Sequence, residues 1–136
     1  MSAVGTGRVR VLIVAGDREM GQEICWNLRT HGYQAEWVFD GRQALARLQR
    51  EDFAAVVAEM SAARTPDLDL VRAVQGLDGF RPWVMYTGVP DPLTARWREP
   101  GGVFCVLMKG APLRELLWSV EEACRAASRV GRARCA

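Results

Sequence analysis

With 136 residues, 49% of them hydrophobic and 25% charged, the chain has the length and apolar content for one domain around one core. A formal charge of +2 is too small to argue for a nucleic-acid partner, and no uninterrupted apolar segment is long enough to span a bilayer. The opening residues Met1 to Arg8 hold no apolar stretch followed by a cleavage site, so a cytoplasmic rather than secreted protein is expected.

Short β-rich runs alternate with helical periods, the pattern of βαβ units around a parallel sheet. Arg8 to Val14 reads as the first strand. Asp17 then stands as the N-cap of a helix that carries Met20, Ile24 and Leu28 on one stripe and stops at Gly32. Gln34 to Phe39 alternates as a second strand, and Asp40 caps a helix with Ala44, Leu45 and Leu48 facing inward. The third strand runs to about Ala58. A loop from Met60 to Pro66 leads to a helix with Leu70, Val71, Val74 and Leu77 inward. The fourth strand ends at Tyr86, and a short helix follows between Pro90, Pro92 and Pro100. Gly101 and Gly102 open the fifth strand. The last helix spans about Pro112 to Ser128, with Leu113, Leu116, Leu117, Val120 and Cys124 as its core stripe. Residues 8–128 are therefore expected to form the domain, with 1–7 and 129–136 as flexible ends.

The four cysteines, Cys25, Cys105, Cys124 and Cys135, have no metal-type spacing. They read as small core residues rather than a zinc or disulfide framework. Lys109 is the only lysine, and so the only compact ammonium available to a site. It follows the apolar run Val103 to Met108. Glu59 follows a second such run, Phe53 to Ala58, and Thr87 follows Trp83 to Tyr86. An acid, a hydroxyl and a lysine thus sit at the carboxyl ends of three expected strands, where an open α/β sheet gathers its functional groups.

That order resembles the receiver domain of bacterial two-component response regulators, the CheY-like family. Val11 to Val14 followed by an acidic turn is similar to the family's first strand. His31-Gly32-Tyr33 is similar to its turn into strand two, Asp40 to Leu45 to its second helix start, and Leu68 to Arg72 to its third helix. Thr87-Gly88 and Lys109 match its hydroxyl and lysine. The resemblance covers about Arg8 to Ala127. It implies an α/β, flavodoxin-like doubly wound fold with a five-stranded parallel sheet in the order 2-1-3-4-5.

The resemblance also implies a phosphorylation pocket, and here that pocket departs from the family. Where the family carries an acid pair that binds Mg²⁺, this chain has Ala15 and Gly16; neither side chain ligates a metal. Asp17 survives just beyond them, at the helix cap. Mg²⁺ takes oxygen ligands in tight octahedral geometry, so no Mg²⁺ and no other cofactor is expected. The position of the phosphoacceptor aspartate is Glu59, one methylene longer. The proline expected soon after it is delayed to Pro66, Gly110 replaces the proline after the lysine, and Val106 stands at the family's switching aromatic. If Glu59 meets Lys109, they form a permanent ion pair worth less than ~1 kcal/mol in a wet pocket. The alternatives are a solvated Glu59, a turn-capping Thr87 and a rim Lys109.

A second surface lies on the last helix, where Arg114, Trp118, Glu121 and Arg125 share the face opposite the leucine stripe. Trp and Arg are enriched in binding hot spots; a local stack of Arg114 or Arg125 over the indole is the plain alternative. In the family this helix, with strand five and the fourth helix, forms a partner or dimer face, and Trp97 extends it. The leading expectation is a non-enzymatic, phosphorylation-independent receiver that binds a protein partner or a second copy. A phosphorylatable regulator using Glu59, with Asp17 as sole acid, is the alternative. A flavodoxin-like cofactor binder or enzyme ranks last, because Ala15 to Gly21 lacks both phosphate-binding glycine motifs and places Asp17 and Glu19 where an anion would sit.

Overall fold

The computed structural model describes residues 9–60, 82–87, 105–108 and 110–135. Five strands, β1 (Arg10–Val14), β2 (Gln34–Val38), β3 (Ala55–Met60), β4 (Trp83–Thr87) and β5 (Cys105–Met108), form one sheet in the order β2-β1-β3-β4-β5. Every pairing is parallel. This is the α/β architecture and strand order expected from the sequence. Parallel strands need crossovers, and near-continuous apolar strands such as Val11 to Val14 suit a sheet covered on both faces.

One face of the sheet carries Val11, Ile13, Ala35, Ala55, Val57, Val84 and Tyr86. They share a core with Ile24, Cys25 and Leu28 of helix α1 (Arg18–Thr30) and with Leu116, Val120 and Ala123 of the C-terminal helix (Leu113–Cys135). The alternate residues, including Leu12, Val14, Val56 and Ala58, are equally buried and belong to the opposite face, the side of helix α2 (Gly41–Arg50) with its buried Ala44 and Leu48.

The helix boundaries follow from local chemistry. The Asp17 carboxylate accepts from the Met20 N–H at 3.3 Å and caps α1. Gly32, at φ +92°, ends it in a left-handed turn that a side chain would strain. Asp40 accepts from the Gln43 N–H at 2.9 Å, while Gln43 Oε1 accepts from the Phe39 N–H at 2.7 Å. This reciprocal pair satisfies two donors at the start of α2.

Two boundaries differ from the sequence reading. β3 continues past Ala58 to Met60, so Glu59 lies within the strand. Pairing with Tyr86 and Thr87 of β4 carries the ladder that far. The C-terminal helix continues past Ser128 to Cys135, through residues expected as a flexible end. The stretch Ala126 to Arg134 holds mostly alanines and arginines, strong helix formers, and no proline; Gly131 opposes it most, by about 1 kcal/mol. The buried stripe of this helix is also rotated. Leu116, Ser119, Val120 and Ala123 are buried, while Leu113, Leu117 and Cys124 lie at its margins.

At the start of β1 the fold holds an alternating ring of charges. Arg10 Nη2 donates to Glu36 Oε2 at 2.7 Å and to Glu51 Oε1 at 2.5 Å. Arg47 donates to both of the same carboxylates, and both guanidinium groups lie over the Phe53 ring, at 4.4 and 5.6 Å. The ring ties β1, β2 and the end of α2 together. Hydrogen bonds from Arg47 and then Arg10 hold the Glu51 carboxyl down at about 2. Those from Arg10 and then Arg47 lower Glu36.

Candidate functional site

The carboxyl ends of β3, β4 and β5 are adjacent in the sheet, which brings the expected site positions to one edge. Glu59, next to last in β3, lies opposite Tyr86, and Thr87 ends β4 opposite Met60 on one side and Met108 on the other. Glu59 has the strand parity of Ala55 and Val57, the face covered by α1 and the C-terminal helix. It is 8% exposed and is not without a partner. Burial of this carboxylate distinguishes it from the solvated strand-end acid that the sequence left open. Lys109, one residue beyond the end of β5, lies outside the described residues, and so does its expected contact with Glu59.

The loop between β1 and α1 brings Ala15, Gly16 and Asp17 to the same edge. Ala15 is 1% exposed, and its backbone is used in both directions. Its N–H donates to the Val38 carbonyl at 3.0 Å, and its carbonyl accepts from the Trp37 indole Nε1–H at 2.8 Å. Asp17 turns to the helix, as its capping bond shows. Trp37 is a contributor that the sequence reading passed over as one more strand residue. Its indole lies flush on α1: a Cβ at Gly21 would stand 2.4 Å from Nε1 and 2.5 Å from Cε2. The Phe39 ring leans on it, centroid to centroid 4.5 Å. The signal that would have found it is the glycine at position 21, inside a helix where glycine is unfavourable.

Gly110 lies just after the lysine, at φ +100°. Proline, held near −65°, cannot adopt that conformation, so the backbone here has a different course from one that carries the family's proline. Val106 sits in β5 opposite Met85. Among the described residues, no group of three or more His, Cys, Asp or Glu stands together as a metal site.

On the C-terminal helix Arg114, Trp118, Glu121 and Arg125 are exposed, as the helical period requires. Trp118 is 63% exposed. Arg125 does not lie over it as a stacked cation: its guanidinium is held by Glu121 at 2.6 Å and Glu122 at 2.9 Å. Trp26 on α1 is a second exposed indole, at 67%, and was not singled out from the sequence. Trp97 and the fourth helix lie outside the described residues.

Solved structures match this chain over most of its length. A CheY-like response regulator receiver domain protein from Methanospirillum hungatei JF-1 superposes with a TM-score of 0.80 at 21% identity, covering 90% of this chain and 98% of that one. The chemotaxis protein CheY4 of Vibrio cholerae does so with a TM-score of 0.74 at 25% identity, covering 86% and 99%. A structure described as adenylate cyclase from Rhodopirellula baltica reaches 0.83 at 19% identity, covering 94% and 96%. No family model and no curated protein matches the sequence. The chain has the CheY-like receiver fold.

Proposed function

We propose that this chain is a receiver-fold module of bacterial two-component or phosphorelay signalling, cytoplasmic and non-enzymatic, that acts without being phosphorylated. The observation that carries the reading is the β1–α1 loop. Where a working receiver needs carboxylates for Mg²⁺, Ala15 offers a methyl group and an already bonded backbone, Gly16 has no side chain, and Asp17 caps a helix. These residues do not fit a hard cation that wants near-octahedral oxygen. Without the ion, the charge of a transferring phosphoryl group lacks its main counterweight. Glu59 then serves as a buried structural carboxylate at the acceptor position.

Function on this reading belongs to the surface. The described part of the expected partner face centres on Trp118, between Arg114 and the Glu121–Arg125 pair. An exposed indole flanked by charges is the composition of a contact hot spot. The occupant is a protein partner or a second copy, through the fourth helix, β5 and the C-terminal helix.

The deciding experiment is an amide NMR spectrum with and without Mg²⁺ and beryllofluoride, a stable phosphoryl mimic. The expected result is no shift at Glu59, Thr87 or Lys109. Saturable, Mg²⁺-dependent shifts there would overturn the reading and make the chain a phosphorylatable switch with Glu59 as an unusual acceptor.

A further inference from the structure

The Trp37 indole makes two contacts in the β1–α1 region that no strand residue needs for sheet formation. Its Nε1–H bonds the Ala15 carbonyl at 2.8 Å across 22 positions of sequence, and its ring occupies the space that a side chain at position 21 would fill. The first contact holds the last residue before the loop; the second rests on the first turn of the helix after it. Between them lie only Gly16, Asp17 and the helix start, where Gly21 N–H bonds the Asp17 carbonyl at 2.9 Å. Trp37 thus grips both ends of a short loop that contains a glycine and no metal ligand pair. Phe39 braces the outer side of the ring at 4.5 Å.

We infer that Trp37 is the internal fastener of the β1–α1 loop: it does, from within the protein, the ordering that a bound cation does in a metal-dependent site. This deepens the metal-free reading proposed above and rests on it. The mechanism is a neutral hydrogen bond, in a half-buried setting, plus van der Waals contact of an aromatic face with helix backbone. It also accounts for Gly21. A helix interior disfavours glycine, but any larger residue here would drive the indole off its seat. Glycine and tryptophan are therefore one device, and neither makes structural sense without the other. The loop then has a single conformation, independent of any ion, and the edge of the sheet stays constant.

Two substitutions attack the device from opposite sides. Trp37→Phe keeps an aromatic ring and removes the donor; Gly21→Ala keeps the donor and displaces the ring. Native-state hydrogen exchange, read at the Ala15 and Gly21 amides, is expected to speed up about five- to tenfold in each variant, the loss of one modest hydrogen bond. The Ile13 and Val57 amides in the core serve as the reference and should be unchanged. Unchanged exchange at Ala15 and Gly21 in Trp37→Phe would overturn the inference, and that variant is mild enough to fold if Gly21→Ala is not. A Mg²⁺ titration of Trp37→Phe separates the two levels of the argument. If Mg²⁺ restores protection at these amides, the metal-free reading falls while the fastening role stands. If loop exchange is unmoved by either substitution and Mg²⁺ has no effect, the fastening role falls and the metal-free reading survives.

Discussion

Arg10, Glu36, Arg47 and Glu51 come from two strands and one helix end, and each guanidinium serves both carboxylates. Arg47 and Glu51, four positions apart at the end of α2, have the spacing of a helical ion pair, but nothing in the sequence spacing joins them to Arg10, 41 positions before Glu51. The β1–β2 register, which sets Arg10 beside Gln34 and Leu12 beside Glu36, brings Arg10 within reach of Glu36, and the end of α2 supplies Arg47 and Glu51. The ring has a pH signature. With Glu51 held at about 2 against an ordinary 4.5 and Glu36 lowered as well, the unfolded chain takes up protons first as the pH falls. The ring's stabilisation is therefore complete above about pH 4.5 and is lost as the pH drops towards 2. Urea unfolding across pH 2–6 should show that loss, and Glu51→Gln should flatten it. Equal acid sensitivity of the two proteins would deny the ring any part in it.

Two thiols make a second case at this scale. Burial pushes the Cys124 thiol up to about 11 and raises Cys25 as well. Both should resist iodoacetamide at pH 8 in the folded protein and react freely in urea, as peptide mass spectrometry would read, because the thiolate is the reacting form. Rapid alkylation at Cys25 or Cys124 in the folded chain would contradict their burial. For these two of the four cysteines, a place in the core was legible from the sequence. Cys25 is buried in α1 and Cys124 borders the same core, because a small apolar side chain on a helix stripe has no better place.

Among the elements, the C-terminal helix separates core from surface most sharply. Leu116 and Trp118 stand two positions apart, about 200° around the helix, one at 1% and the other at 63% exposure. Leu116→Ala should cost about 2–5 kcal/mol. Trp118→Ala should change the unfolding free energy by less than about 0.5 kcal/mol, although it removes the larger side chain. Denaturant melts of both variants would check this, and a costly Trp118→Ala would mean the indole is seated rather than free. At the start of α1, Asp17→Ala should cost about 1 kcal/mol by leaving a first-turn donor without its cap. A denaturant melt left unchanged by Asp17→Ala would deny the cap its part in stability.

Element types were readable from periodicity, whereas ends were not. The run Val11 to Val14 and the stripe Leu116, Val120 name a strand and a helix by themselves. The extension of β3 to Met60 depends on β4 lying alongside, and that of the last helix to Cys135 has no cap residue to announce its end. The site was legible to the same degree. That Glu59 and Thr87 stand near the carboxyl ends of neighbouring strands follows from their place along the runs, whereas the Ala15–Gly16 gap is visible only through the resemblance to the receiver family. Trp37 was not legible, because its role arises from a contact between β2 and α1 that only the folded chain supplies.

For the molecule as a whole, the placement of the C-terminal helix has a consequence for biosynthesis. Val57, Val84 and Tyr86 lie under Leu116, Val120 and Ala123, so β3 and β4 wait for residues from the last fifth of the chain. A ribosome must release that segment before the central strands can leave water. Until then they offer an apolar surface to any chaperone, or to another nascent chain. The β1–β2 pair with α1 is local and needs none of that delay. Nascent chains with everything up to Pro112 outside the ribosome should therefore protect β1 and β2 while β3 and β4 remain open to protease, and chains with Ala123 outside as well should close both at once.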